Sequence, residues 1–370
     1  MASVAMHDVM QTDRSIPARD LHLLSHLLLG EPFARCSGES GMLPNWGHDE
    51  LARFLAFADR HHVLVRAVEA LQSSTLHEMS PRLSSQCATV LAKEQDRVRR
   101  ALKVLDTVCE ALESAECPAI VIKSLDHWPD IGSDLDLYTG GRQDQVVSIL
   151  ERNFAAEVLP RSWGDRLAHK WNFSLPGLAE AVEVHVGCLG QTGEHLNLAL
   201  RLERRAVRKT LGGYTFRVPA PEERVLITTL QRMYRHFYYR LCDIVDTTKL
   251  IQAQELDYTI LRTAAESSGI WPGVGSLLTA VAEFAHAYGA KLELPAEVVS
   301  SATKGGALEL RGDFLRISIM PQAVGLFLRQ VVCAGTQKNF RTVSRLSLLP
   351  GLAAAAFVAY KVTGNDKGIW

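Results

Sequence analysis

The chain has 370 residues, 47% hydrophobic and 22% charged, which suits an ordinary folded protein with room for two or three domains. A net charge of −1 excludes a global pull toward nucleic acid or membrane surfaces. Seven cysteines, at 36, 87, 109, 117, 188, 242 and 333, include no Cys-x-x-Cys pair, which argues against a disulfide framework or a zinc site and for a reducing, cytoplasmic setting.

Residues 1–15 lack the apolar core of a secretory signal. Helical periodicity runs over 17–30 and 48–73, with Leu51, Phe54, Leu55, Ala58, His62 and Val65 on one face and a loop over 38–44 between the two helices. The pair His61-His62 has no ligand companion at useful spacing and reads as structural. A long helix over 82–115 stops at Pro118. The pattern then changes to short β-rich runs at 119–123, 134–138, 170–175 and 181–186, with a helix over 143–154. Residues 209–218 carry Gly212-Gly213 and read as a hairpin.

After Pro219 helices return, over 222–239, 241–256, 258–268 and 274–286, with a polar Gly-containing separator at 301–313. The expected class is α+β. A small mixed-sheet core over 117–220 is flanked by an N-terminal helical region, 1–116, and a C-terminal helical domain, 221–370. The uncharged stretch 346–360, broken by Pro350-Gly351, falls short of a spanning helix and reads as buried or dimer-facing, so no stable membrane insertion is expected.

Chemistry concentrates in residues 132–137. Asp134 and Asp136 sit two apart on a strand, so both side chains leave the same face and can converge on a hard cation. Glu183 and His185 share a face of a later strand, and strand adjacency would gather three carboxylates, with oxygens roughly 3–5 Å apart, as a magnesium site requires. Residues 201–249 hold eleven Lys/Arg against five Asp/Glu, a local excess suited to phosphates. Within them, Arg232 to Arg240 mixes cations with aromatics and could hold a base and its phosphates, though aromatics at helical spacing also suit a core. Asp243 and Asp246 fall on one helix face and fit salt bridges with Arg240 or Lys249, or contact with ribose or an acceptor. Asp126, His127 and Asp130 lie in the loop leading to the acids and could gate the pocket.

The ordered set Val121-Ile122-Lys123-Ser124, Asp134-Leu135-Asp136 and Glu183-Val184-His185, with helical flanks, resembles the DNA polymerase beta-type nucleotidyltransferase superfamily. Within it the set most resembles the bacterial branch described as uncharacterised nucleotidyltransferases. The resemblance spans about 50–255 and extends to His236 and to Arg240-Leu241-x-Asp243. It implies a magnesium-dependent transfer of a nucleoside monophosphate from an NTP, ATP first among them, to a small molecule, protein or RNA acceptor, with release of pyrophosphate. Asp134, Asp136 and Glu183 would be the catalytic and metal residues, with Glu183 also helping to activate the acceptor. Lys123, Ser124 and Arg240 would bind the nucleotide. Two departures stand out: Lys123-Ser124 occupies the place of Gly-Ser or Gly-Gly, and the third carboxylate is Glu where Asp is usual. They leave open a non-catalytic nucleotide- or partner-binding domain of the same fold, and the terminal helices leave open an assembly protein.

Overall fold

The computed structural model describes residues 17–30, 46–75, 80–303, 308–317 and 322–363. The expected signal-free terminus and the 38–44 loop lie outside them. Helix α1 covers 17–29, α2 His48–Arg60 and α3 Leu64–Thr75. The expected helix over 48–73 is therefore broken. His62 takes a left-handed backbone (φ 53°), which turns the chain while the apolar periodicity continues on both sides. Helix α4, Pro81–Ser114, starts with the Ser80 hydroxyl accepting from Leu83 N and Pro81 in the first turn.

The sheet follows: β1 Ala119–Val121, β2 Asp134–Thr139, helix α5 Gln143–Phe154, β3 Glu157–Val158, helix α6 Trp163–Leu167, β4 Lys170–Ser174 and β5 Ala181–Val186. The order is β1-β2-β5-β4-β3, with β2 and β5 parallel and the other pairs antiparallel, which confirms a mixed sheet. Period two separates its faces. Leu135, Leu137, Val182, Val184 and Val186 point into an apolar cluster with Ala101, Leu105, Val108 and Leu112 of α4. Each buried Leu or Val there contributes roughly 1.5–3 kcal/mol. The opposite face carries the acids and looks toward the later helices.

Helix α7 Leu196–Arg205 precedes the hairpin β6 Val207–Leu211 and β7 Tyr214–Val218. Gly212 (φ 56°) and Gly213 (φ 88°) supply the two left-handed residues that a tight hairpin turn demands. Helix α8 runs Pro221–Gln231. It passes into a π-helical turn, Arg232–His236, and ends at Phe237 (φ 54°). The helix expected to reach Tyr239 stops early because Tyr238–Tyr239 form a short strand, β8, paired with a distant hairpin.

Helices α9 Leu241–Gln252, α10 Tyr258–Ser267, α11 Trp271–Ala287 and α12 Ala296–Ser301 follow. The hairpin is β9 Glu309–Arg311 and β10 Phe314–Arg316, lying partly in the segment read as a separator. Residues from α1–α3 share one apolar core with those of α8–α11, so the N-terminal helices pack with the C-terminal ones.

Helices α13 Gln322–Thr336, α14 Phe340–Leu346 and α15 Leu349–Thr363 end the described chain. The buried alternative for 346–360 is corrected: Phe357, Val358 and Val362 are exposed, because no described element covers that face of α15. The stretch Phe340–Ala359 is long and apolar enough to cross a membrane by length and composition.

Candidate active site

Register places the acids. Across the parallel pair, Asp136 of β2 stands opposite Glu183 of β5, and Tyr138 opposite His185. Side chains of Asp136, Glu183 and His185 therefore emerge on one face, with ligand atoms within 4.8 Å of one another. His185 Nε2 donates to Glu183 Oε1 at 2.8 Å, leaving Nδ1 buried without a hydrogen-bond partner. Asp134 lies outside this close group. It begins β2, and its carboxylate accepts from Ser133 Oγ (3.3 Å) at the cavity mouth. It still feels the others: burial and the charges of Asp136 and Glu183 raise its pKa.

Two lysines neutralise the inner pair. Lys123 Nζ lies 2.6 Å from Asp136 Oδ1 and 3.5 Å from Glu183 Oε1. Lys170, which begins β4 opposite His185, reaches Glu183 Oε2 at 2.6 Å and Asp165 at 3.3 Å. Burial disfavours the charged Lys123, yet Asp136 and Glu183 outweigh it and raise its pKa. Burial likewise opposes the Glu183 carboxylate, but Lys123, the His185 hydrogen bond and Lys170 hold it well below its usual range. So held, Glu183 suits a permanent anion that ligates a cation better than a base that takes a proton.

The departure at Lys123-Ser124 is resolved locally. Ser124 N donates to Ile122 O at 2.6 Å, closing a three-residue turn around Lys123, whose φ is 59°. The left-handed position is thus Lys123 itself, which stands where Gly-Ser has its glycine. The Ser124 hydroxyl is 2% exposed, donates to Asp134 O (3.1 Å) and accepts from Asp136 N (2.7 Å). Both of its bonds go to strand backbone, so it fixes β2 beneath the acids, and Ser124 also lines the cavity above them.

A cavity of about 220 Å³ opens over the acids, lined by Lys123, Asp134, Asp136, Lys170 and Glu183 below. Gln231 at the end of α8, Arg232, Arg235 and His236 of the π turn, Tyr238 of β8 and Arg240 just after it complete the lining. Arg232 is 2% exposed, with Nε 2.8 Å from Asp243, an angle too poor for a hydrogen bond, and Nη1 has no hydrogen-bond partner. Arg240 lies 5.7 Å from the Tyr238 and Phe314 ring centroids, which are stacked 4.7 Å apart. Arg235 has no hydrogen bond or ion pair among the described residues. The cationic field is visible at His236: burial, then Arg235, Arg232, Lys123 and Arg240, push its pKa down to about 2.

The remaining candidates scatter. Asp126 pairs with Arg224 (2.7 Å), and Asp130 with Arg66 (2.7 Å) while accepting from Val65 N (2.6 Å), so both acids brace the loop. Asp243 accepts from Arg240 N (2.7 Å), and Asp246 pairs with Arg66 (2.6 Å) and His127 (2.6 Å). The ion pairs are not with the expected Arg240 or Lys249: Asp243 pairs with Arg232 (2.8 Å), and Asp246 with residues remote in sequence. His61 is structural: its Nδ1 accepts from Leu241 N (2.9 Å) and its Nε2 donates to Asp313 O (2.8 Å). His62 and His127 instead line the cavity, as does Lys170. Sequence reading missed His62 and Lys170 as site residues. A lysine at the start of a strand whose Trp171 and Phe173 are aromatic is the signal that could have found Lys170.

A family model described as "Uncharacterised nucleotidyltransferase" matches residues 48–286. An antigenic nucleotidyltransferase-like protein from Paracoccidioides brasiliensis is similar in structure, at 18% identity and a TM-score of 0.30, over 50% of this chain and 94% of that one. No curated protein matches the sequence.

Proposed function

Since the chain belongs to the uncharacterised nucleotidyltransferase family, we propose that it transfers a nucleoside monophosphate from an NTP, with ATP the first candidate, to an acceptor hydroxyl, releasing pyrophosphate. The observation that carries this reading is the meeting of two sets of opposite charges in one cavity. Asp134, Asp136 and Glu183 line it together with Arg232, Arg235 and Arg240. A triphosphate with a hard cation satisfies both sets.

The all-oxygen carboxylate set fits magnesium. Asp136 and Glu183 would hold it, and Asp134, which also lines the cavity, would add a third carboxylate. Bound there, magnesium lowers the pKa of an attacking hydroxyl and offsets charge on the leaving pyrophosphate. Lys123 and Lys170 occupy the cation's surroundings and would turn from the carboxylates toward phosphate oxygens. Arg235, unpaired, and Arg232 Nη1, unpartnered, would meet the β and γ phosphates. Arg240 and Tyr238 would flank the nucleoside. Ser124 keeps β2 in register.

Incubation of the full chain with cell extract and NTPs labelled on the α or the γ phosphate tests this reading. Transfer of α label with none from γ supports it; transfer of γ label alone overturns it.

A second reading, a nucleotide-binding domain without transfer, is favoured by the two lysines that already neutralise Asp136 and Glu183. It predicts magnesium-dependent NTP binding with no label transferred.

A further inference from the structure

His62, His127 and Cys242 come from three remote places: the turn between α2 and α3, the loop before β2, and the first turn of α9. Their ligand atoms lie within 4.8 Å of one another. We propose that these three side chains form a second metal site, for a thiolate- and imidazole-preferring divalent ion of the zinc class. Its fourth position opens into the nucleotide cavity.

The geometry fits tetrahedral zinc. With Zn–S of ~2.3 Å and Zn–N of ~2.0–2.1 Å, a sulfur and a nitrogen on one ion stand ~3.6 Å apart. Cys242 Sγ and His127 Nε2 are 3.7 Å apart. The other nitrogen of His127, Nδ1, lies 2.6 Å from Asp246 Oδ2. A carboxylate on the far nitrogen orients a ligating imidazole and directs its remaining lone pair to the metal. Asp246 is held in turn by Arg66 (2.6 Å), and Arg66 Nη2 donates to His62 O (2.9 Å), so one guanidinium braces two of the three ligand positions.

His62 supplies an independent observation. Its left-handed φ of 53° is a conformation that a non-glycine residue adopts at a cost, and such strain persists where the surroundings impose it. The turn sends the imidazole beside His127, with ring centroids 5.9 Å apart. Neither His62 ring nitrogen makes a hydrogen bond among the described residues. His62 and His127 line the cavity, whereas Cys242 is fully buried. A buried thiol cannot reach a substrate as nucleophile, but it can anchor an ion from behind while the two imidazoles, which line the cavity, complete its ligands.

On binding, the thiol proton passes to solvent and both imidazoles ligate as neutral rings. The donor set is soft and differs from the hard carboxylate set of Asp136 and Glu183, so the two sites discriminate between ions. The inference does not depend on nucleotidyl transfer, since the site is defined by its own ligands.

Titration of the metal-free full chain with Co²⁺, followed by absorption spectroscopy, tests the site. One equivalent should produce a thiolate-to-cobalt charge-transfer band with tetrahedral d–d bands, displaced by Zn²⁺. Cys242→Ser should abolish the charge-transfer band. His62→Gln should weaken Co²⁺ binding by about 10–100-fold and keep the band at saturation. Asp136→Asn, at the carboxylate site, should leave the spectrum unchanged. Each variant's circular dichroism confirms folding. Absence of the band in the folded wild-type chain, or its persistence in Cys242→Ser, would overturn the proposal. The first outcome would leave Cys242, His127 and Asp246 as a metal-free hydrogen-bonded relay.

Discussion

Lys123 Nζ sits 2.6 Å from Asp136 Oδ1, delivered there by a backbone turned left-handed at Lys123 itself (φ 59°). The family resemblance places glycine beside this turn, and the structure shows what the chain does without it. The steric cost falls on the residue that carries the cation. Lys123→Gly and Lys123→Ala both remove the amine, but only glycine removes the Cβ. The glycine variant should be more stable than the alanine variant by ~1 kcal/mol in urea denaturation. Equal stability would show that the turn is unstrained.

Arg235 lines the cavity and has no partner to leave behind. Arg235→Ala should leave thermal stability nearly unchanged, within about 0.5 kcal/mol, as for substitutions that break no buried contact. Binding of a non-hydrolysable magnesium–NTP, measured calorimetrically, should weaken by about 10–100-fold through loss of a charged hydrogen bond to phosphate. Unchanged affinity would remove the π turn from the phosphate site. Arg232→Ala should differ by also costing stability, since it strands the buried Asp243.

Asp165, in the first turn of α6, accepts from Ser162 N and pairs with Lys170, the lysine that holds Glu183. Burial opposes its charge, but Lys170 and the Ser162 hydrogen bonds outweigh it and lower its pKa below the ordinary 3.8. A carboxylate depressed on folding contributes stability that is present above the unfolded value and lost as pH falls through the folded one. Asp165→Asn should therefore cost ~1 kcal/mol at neutral pH, the scale of a helix cap, and the deficit should shrink as pH falls below 3.8 toward the folded value. Denaturant melts across that range measure it. A deficit independent of pH would point to packing alone.

Much of this arrangement was legible in the sequence because it rests on short periods. Asp134 and Asp136, and Glu183 and His185, declare shared strand faces by alternation alone, and the β-rich runs marked both strands. The parallel register that sets Asp136 against Glu183 follows from the whole sheet and could only be expected. Local periodicity failed where long-range partners decide. Tyr238–Tyr239 read as helix because their strand pairing lies in residues 314–316. His62 read as core because the apolar stripe runs through the break that turns it outward. The cluster of His62, His127 and Cys242 has no spacing motif, since its members meet only when α3, the loop before β2 and α9 pack together.

Under the proposed function, Asp136 and Glu183 together carry nucleotidyl transfer. The most direct measurement is transfer from α-labelled NTP, with pyrophosphate release, by wild-type chain and by Asp136→Asn, at equal folded concentration and saturating magnesium. The wild type should transfer label and the variant should lose at least ~100-fold, the scale on which removing a charge-stabilising group acts. Equal transfer by both proteins would contradict that role.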